Sequence, residues 1–388
     1  MAALSVGVIY GGASVEHDVS IITALQAMEA LSVRHTVVPI YITRSGRWLS
    51  GRELRDLKTY QEEDEPDVAE VSRDISGGII RSAGKRTGFL ARKREETVID
   101  VALPATHGTY GEDGSLQGLL ELCGVPYVGS AVGASAVAMD KGLTKAVLAR
   151  HQIPTPPSIE ILREQWTEPG SELVTEALGT FVSPVYVKPL SLGSSIGVSR
   201  CTTTEEVDEA LQLALELDRA ALIEPSVEGA IEVNCAVLGA PGAASRTSVC
   251  EQPVTRNELL SFDDKYLRGG KGEGMKGAER IIPAPIGDEQ TERVKELAQQ
   301  AFAALGCAGV ARVDFLVAPS GTVLVNELNT IPGSFSFYLW EPAGLAFPDL
   351  LDELLEIAIA EHQAARSTTR TFASALLAGH ATGVKASA

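Results

Sequence analysis

The sequence is poor in cysteine and has no cysteine pattern. Its five, Cys123, Cys201, Cys235, Cys250 and Cys307, are odd in number and widely spaced. No CxxC pair occurs, so neither a zinc site nor a disulfide framework is indicated. No apolar run reaches the length that spans a bilayer. The N-terminus lacks a basic stretch followed by an apolar one, so no signal peptide is read there and a cytoplasmic protein is expected. Positive charge is also scarce, with 33 Lys and Arg against 51 Asp and Glu, a net charge of −18. That balance argues against a nucleic-acid-binding surface, although a local basic pocket can sit in an acidic chain. The first βα turn lacks GxGxxG and its downstream acid, which excludes a dehydrogenase, and no GxxxxGK followed by Ser or Thr marks a Walker loop.

What is present suits a soluble enzyme of two or three domains. The chain has 388 residues, of which 45% are hydrophobic and 22% charged, so core material is ample. "LSVGVIY" is an apolar, β-branched run fit for a buried strand. Gly11 and Gly12 break it, and Ala24, Leu25, Met28 and Leu31 follow at helical spacing. "HTVVPIYI" and "VIDVALPATHG" are further strands, and "GEDGSLQGLLELCG" is a loop entering a helix that Gly124 stops. The first third is therefore an α/β layer with a parallel sheet. Residues 50–97 are charged, and "QEEDEPD" reads as a solvated excursion. A helix over "AMDKGLTKAVLARHQI" ends before Pro154, and "TPPS" is a linker. "VSPVYVKP", "AALIEPSVEG" and "IEVNCAVLG" are strands. "TEEVDEALQLALEL" and "DEQTERVKELAQQAFAALG" are helices, the second ended by Gly306. "GVARVDFLV" and "TVLVNELN" form a hairpin through "APSG". The second half is thus richer in adjacent strands, an α+β pattern, and the Ala/Ser/Thr-rich tail from Ala365 is expected to fray.

Several of these segments carry groups able to do chemistry. In the hairpin, residues two apart share a face, so Arg312 and Asp314 stand together, as do Glu327 and Asn329, joined by Val325. Such oxygen ligands suit Mg²⁺, and the same pattern fits a solvated face with an Arg–Asp pair. Lys188 ends a strand before "PLSLGSSIGV", a loop whose backbone N–H groups can cradle phosphate or form a plain surface turn. Lys141 and Lys145 lie one helical turn apart, and the expectation for both is solvent rather than phosphate. Glu224 ends a strand in an extended segment that suits an adenine hinge or an ordinary edge. His107 lies at the C-terminal end of a parallel strand, where open α/β sheets bind ligands, and is either structural or functional. "IYGGASVEHDVS" puts Glu16 at a glycine turn, where a carboxylate would repel a phosphate.

Taken in order, "GGASVEHDVS", "HGTYGEDGSLQG", "PYVGSAVGASAVAMDKGLTK", "VKPLSLGSSIGV", "ARVDF" and "NELNTIPG" closely resemble the D-alanine–D-alanine ligase family of the ATP-grasp fold, over about residues 4–355. The resemblance implies an α/β N-terminal domain with a parallel sheet over 1–130, which binds the first substrate. It implies a central domain over 131–222 and a C-terminal domain over 223–365 with the Mg²⁺ and second-substrate sites, leaving 366–388 as a disordered tail. It implies ATP as co-substrate, two Mg²⁺ ions (Mn²⁺ also serving) and a homodimer that binds neither nucleic acid nor membrane. The reaction joins two D-alanines through an acyl phosphate and a tetrahedral intermediate.

The resemblance also assigns roles. Glu16 faces the ammonium of the first D-amino acid, which resolves its place at the turn, and His107 stands near, with Glu112 ordering its loop. Lys141 and Lys188 contact the ATP phosphates, and Ser194 and Ser195 close over them. Glu224 and the backbone near Val227 read adenine, and Glu232 the ribose. Asp314, Glu327 and Asn329 hold the metals; Arg312 and the N–H of Gly333 stabilise the oxyanion. In the loop "FDDKYLRGGKGEGMKG", Lys265 reaches the γ-phosphate, and Tyr266 joins Glu16 and Ser194 in a closing triad. The Lys–Tyr pair favours an amine nucleophile over D-lactate. The chain departs from the family in three places. The loop from Leu267 to Lys276 is long, "GAIEV" has an extra residue before Glu232, and the run after "PG" is "SFSFYLW". That last run places Ser336 and Tyr338 where a Ser-His-Ser-like segment binds the second substrate's carboxylate. The second substrate is therefore open between D-alanine and another acceptor such as D-serine, D-lactate or a specialised amino acid.

Overall fold

The strand before the glycine turn and its parallel neighbours build the first sheet. In the computed structural model, which describes residues 2–61, 65–81, 96–166, 172–254 and 280–369, β1 (Ser5–Gly11) lies between β2 (Thr36–Ile42) and β7 (Val101–Pro104), parallel to both. Val6, Val8, Ile9 and Tyr10 of β1 are fully buried, as a central parallel strand covered on both faces requires. β3 (Trp48–Ser50) extends the sheet antiparallel to β2, and the residues read as a charged excursion add β4 (Ala69–Glu70), antiparallel to β3. They also add a small hairpin of β5 (Ile79–Arg81) and β6 (Glu96–Val98). Helix α1 (His17–Leu31) covers β1 through Ala24, Ala27, Met28 and Leu31. Helix α2 (Ser115–Cys123) ends at Gly124, whose φ of +67° is the left-handed stop expected of it.

Two antiparallel sheets follow. The first has the order β10-β9-β11-β8, from β8 (Ile159–Leu162), β9 (Val185–Pro189), β10 (Ser199–Cys201) and β11 (Ala220–Pro225). The second has the order β14-β13-β12-β15-β16, from β12 (Ile231–Gly239), β13 (Arg246–Pro253), β14 (Arg280–Ile281), β15 (Gly309–Val317) and β16 (Val323–Asn329). The consecutive strands β11 and β12 belong to different sheets, so residues 226–230 carry the chain from one wall of the cleft to the other.

The single helix expected around Lys141 is two, α3 (Val132–Met139) and α4 (Lys141–Arg150). Asp140 divides them, because its carboxylate accepts the Leu143 N–H at 2.9 Å and caps the second helix. Behind the first antiparallel sheet come α5 (Glu172–Thr180) and α6 (Thr204–Leu217), the latter opened by a Thr203–Glu206 capping box. Helix α7 (Asp288–Leu305) buries Val294, Leu297, Ala301 and Phe302 under the second sheet. Short α8 (Phe337–Trp340) and long α9 (Phe347–Ser367) complete the core beside α1 and β7. Thus α9 extends past Ala365, and residues 370–388 of the expected tail lie outside the described residues. Among the described residues no helix is long and apolar enough to cross a membrane.

Candidate active site

The loops after β1 and β7 and the two antiparallel sheets border one cleft of about 280 Å³. Its first end is the turn after β1. Glu16 precedes α1 and is buried at 7% exposure. Ser194 Oγ, from the loop after β9, donates to its Oε1 across 178 residues of sequence. Gly108 has φ +70°, a left-handed conformation that favours glycine, and a Cβ there would lie 2.7 Å from Glu16 Oε2 and displace that carboxylate. Glu112 lies beneath. Its oxygens accept the N–H of Gly108 at 2.8 Å and of Ile331 at 3.1 Å. Burial, then the neighbouring Glu16, pushes its carboxyl up to about 8. His107 is buried, hydrogen-bonded through Nε2 to Thr23 Oγ1 at 2.9 Å, and burial pulls its pKa down to about 4, so the ring is neutral at pH 7.

The lysines occupy the wall made by β9, β11 and α4. Glu224 is buried and ion-paired to both Lys145, at 2.6 Å, and Lys188. The expectation of a solvated Lys145 is corrected: it is buried, with Nζ also donating to Pro156 O at 2.7 Å. Its chain position fits an exposed helix face, but α4 packs that face against the sheet. Lys141 Nζ donates to Leu192 O at 2.6 Å, which ties α4 to the serine loop. Burial pulls both lysines below their usual range. Burial alone would raise Glu224, yet Lys188 and Lys145 together hold it below the ordinary carboxylate value. Ser195, Val227 and the exposed Glu232 line the same cleft.

The opposite wall is the β15–β16 hairpin. Arg312 lies opposite Asn329 and Asp314 opposite Glu327, so the four polar groups share a face. The pairing then slips by one residue, with Phe315 opposite Val325. This bulge corrects the placement of Val325, which turns into the core with Val313 and Phe315, while Asn326 joins Glu327 in lining the cleft. Arg312 Nε and Nη2 grip Asp314 at 2.6 and 2.7 Å. Burial lowers the Arg312 pKa, but Asp314 more than offsets this and the net shift is upward. Among the described residues no three His, Cys, Asp or Glu side chains gather as a metal cage. Two carboxylates and an amide oxygen are nevertheless the donor types a magnesium ion takes when substrate phosphates complete its shell.

The far end is formed by Gly333 and Tyr338. Ser334, Phe335 and Ser336 between them have φ of +52° to +53°, a left-handed turn. Tyr338 Oη donates to Glu251 Oε1 at 3.1 Å. The Tyr338 proton is thus directed at Glu251, and the side chain lines the cleft. Ser336 is fully buried, its Oγ has no partner among the described residues, and it is not among the described residues that line the cleft. Lys265 and Tyr266 lie outside the described residues. Sequence reasoning missed Asn234, Glu251, Arg280 and Asn326; an acid inside the strand "TSVCEQP" was the one available signal for Glu251.

A cleft between two antiparallel sheets, lysines on one wall and carboxylates on the other, defines the protein as one of ATP-grasp fold. Family models described as D-ala D-ala ligase N-terminus and D-ala D-ala ligase C-terminus match residues 5–130 and 147–356. A D-alanine–D-alanine ligase of Chlorobium phaeovibrioides is 38% identical over 95% of this chain and 100% of its own. The solved D-alanine–D-alanine ligase of Coxiella burnetii is 31% identical, with a TM-score of 0.76 over 94% of this chain and 97% of that one. The VanG D-Ala:D-Ser ligase of Enterococcus faecalis is 29% identical, with a TM-score of 0.74 over 92% and 99%. The chain belongs to the D-alanine–D-alanine ligase family and is an enzyme.

Proposed function

We propose that this enzyme joins two D-alanines at the expense of ATP, giving D-alanyl-D-alanine, ADP and phosphate for peptidoglycan precursor synthesis. The observation that carries the reading is the convergence of Glu16, the Ser194 loop, the lysine wall and the Arg312–Asn329 hairpin on one cleft. Residues 1–130 hold the first substrate, and 131–222 and 223–365 clasp ATP between their sheets. Glu224 and the backbone near Val227 meet adenine, Glu232 the ribose, and Lys141, Lys188 and Ser195 the phosphates. Asp314, Glu327 and Asn329 would hold two Mg²⁺ ions, with Mn²⁺ as substitute, which neutralise charge on the transferring phosphoryl group when bound.

Glu16 receives the ammonium of the first D-alanine, with neutral His107 nearby. The substrate carboxylate attacks the γ-phosphorus, the bond to ADP breaks, and an acyl phosphate forms. The amine of the second D-alanine attacks the carbonyl carbon. Arg312, whose Nε–Nη2 edge is fixed by Asp314, and the Gly333 N–H stabilise the resulting oxyanion. The intermediate collapses with loss of phosphate and a proton. The resemblance would give Lys265 a role at the γ-phosphate and Tyr266 a role with Glu16 and Ser194 in excluding water. The proposed assembly is a cytoplasmic homodimer.

Tyr338 favours a second reading, in which the acceptor is D-serine, D-lactate or a specialised amino acid. Phosphate release from Mg-ATP is measured with D- and L-amino acids and D-lactate, singly and in pairs, and products are weighed by mass spectrometry. D-alanine alone giving the dipeptide at a strong rate establishes the main reading. A good rate only with a mixed pair establishes the second, and no D-amino-acid-dependent release defeats both.

A further inference from the structure

The acceptor end of the cleft holds a second arginine that the mechanism above leaves unused. Arg280 begins β14, opposite Pro253 of β13. Two residues before that proline, Glu251 faces Asn234 of β12. Tyr338 arrives from the other side, on α8. The Arg280 guanidinium carbon lies 3.8 Å from the centre of the Tyr338 ring, and its Nη1 is 3.3 Å from Glu251 Oε2. Glu251 Oε1 takes the Tyr338 Oη and Asn234 Nδ2 protons, each at 3.1 Å. The carboxylate is therefore filled on both oxygens.

Arg280 is not filled. Its Nε is buried and has no hydrogen-bond partner among the described residues. Folded proteins rarely leave a buried donor unmet, and the Arg280 side chain, 12% exposed, lines the cleft. Arg280, Glu251 and Tyr338 border the same cleft as Arg312 and Gly333, where the proposed oxyanion forms. A guanidinium stacked on an aromatic ring is held flat and presents its N–H groups as a rigid fork, which matches a carboxylate. Arg312 cannot serve both purposes with one edge already on Asp314.

We propose that Arg280 anchors the α-carboxylate of the second substrate, with Glu251 and Tyr338 as positioning residues that hold its guanidinium in place. This rests on the ligase reading above. The acceptor class it selects is a small amino or hydroxy acid with a free α-carboxylate; D-alaninamide is excluded.

The test is steady-state kinetics of product formation by the full enzyme, separating the constants for ATP and for the first and second substrates. The acceptor is whichever compound the wild type joins to D-alanine. Arg280→Met raises the acceptor KM at least about tenfold, the worth of a charged hydrogen bond, with the ATP and first-site constants within about twofold. Arg280→Lys recovers part of the loss. The double variant R280M/E251Q removes the pair without leaving a buried charge, so it tests the same point even if R280M folds poorly. It keeps the acceptor defect if Arg280 binds substrate. An unchanged acceptor KM in R280M, or its restoration in the double variant, overturns the proposal, because Arg280 would then only balance Glu251. A wild type that forms no D-amino-acid product defeats the ligase reading and this one together; product formation with an indifferent Arg280 defeats this one alone.

Discussion

The two ends of the cleft hold their charged groups by different means. At the proposed first-substrate end, Glu16, Gly108, Glu112 and Ser194 all sit in turns that follow strands, and backbone N–H groups and a serine hydroxyl hold the carboxylates. At the proposed acceptor end, Asn234, Glu251, Arg280 and Tyr338 stand on neighbouring strands and a short helix, and the carboxylate is held by an arginine, an amide and a phenol. At the first end two of the donors are main-chain N–H groups, of Gly108 and Ile331, which a side-chain substitution does not remove. At the second every partner of the carboxylate is a side chain, replaceable one at a time. The first end should therefore tolerate little change, and the second should vary in what it accepts.

The largest test falls between the two ends. Glu327→Ala, which removes a carboxylate from the proposed metal set, should lower turnover by at least about a thousandfold, read as phosphate release at saturating Mg-ATP. Near-normal turnover would sink the metal assignment. Ser194→Ala deprives Glu16 of a charged hydrogen bond and should raise the first-substrate KM by about tenfold or more, with the acceptor KM unmoved. Equal effects on both constants would erase the distinction between the ends.

Lys145→Met should weaken ATP binding several-fold and destabilise the fold by about 1–3 kcal/mol, because buried Glu224 keeps only one of its two lysines. Nucleotide titration and thermal melting read the two effects, and unchanged ATP affinity would confine Lys145 to the fold. The smallest effect is a pH dependence. Glu112 is raised to about 8 by burial and then by Glu16, so the folded chain binds a proton that the unfolded chain releases. The stability this gives is whole below about 4.5 and is lost as pH rises through about 8. Glu112→Gln should flatten the melting profile over that interval by about 2–4 °C. A variant that follows the wild-type profile would show that another group titrates there.

The same contrast explains what was legible in the sequence. Glycine turns, the capped helices and the "ARVDF" and "NELN" strands carry local signatures, so the α/β layer and the hairpin could be read off, and the resemblance these motifs carry pointed to Glu16, the lysines and the Arg312–Asn329 face of the cleft. Lys145 was visible but misplaced, since a lysine on a helix says nothing of the sheet packed over it. Val325 went to the wrong face because nothing in "TVLVNELN" announces a bulge at Asn326. Glu251 and Arg280 stayed hidden because strand pairing brings them together, and a single sequence does not display its pairings. Tyr338 was found as a departure, but its partner was not.

Gly108 also bears on resistance to inhibitors. The surface beside the Glu16 carboxylate is partly main chain, and a methyl group at residue 108 would come within 2.7 Å of Glu16 Oε2 and 2.6 Å of Ser14 Oγ. A mutant cannot reshape that surface without displacing the group that the proposed first substrate needs. Compounds that press against this stretch of backbone therefore give the enzyme little room to escape, whereas compounds that lean on Tyr338 and Glu251 rest on side chains that single codon changes can replace.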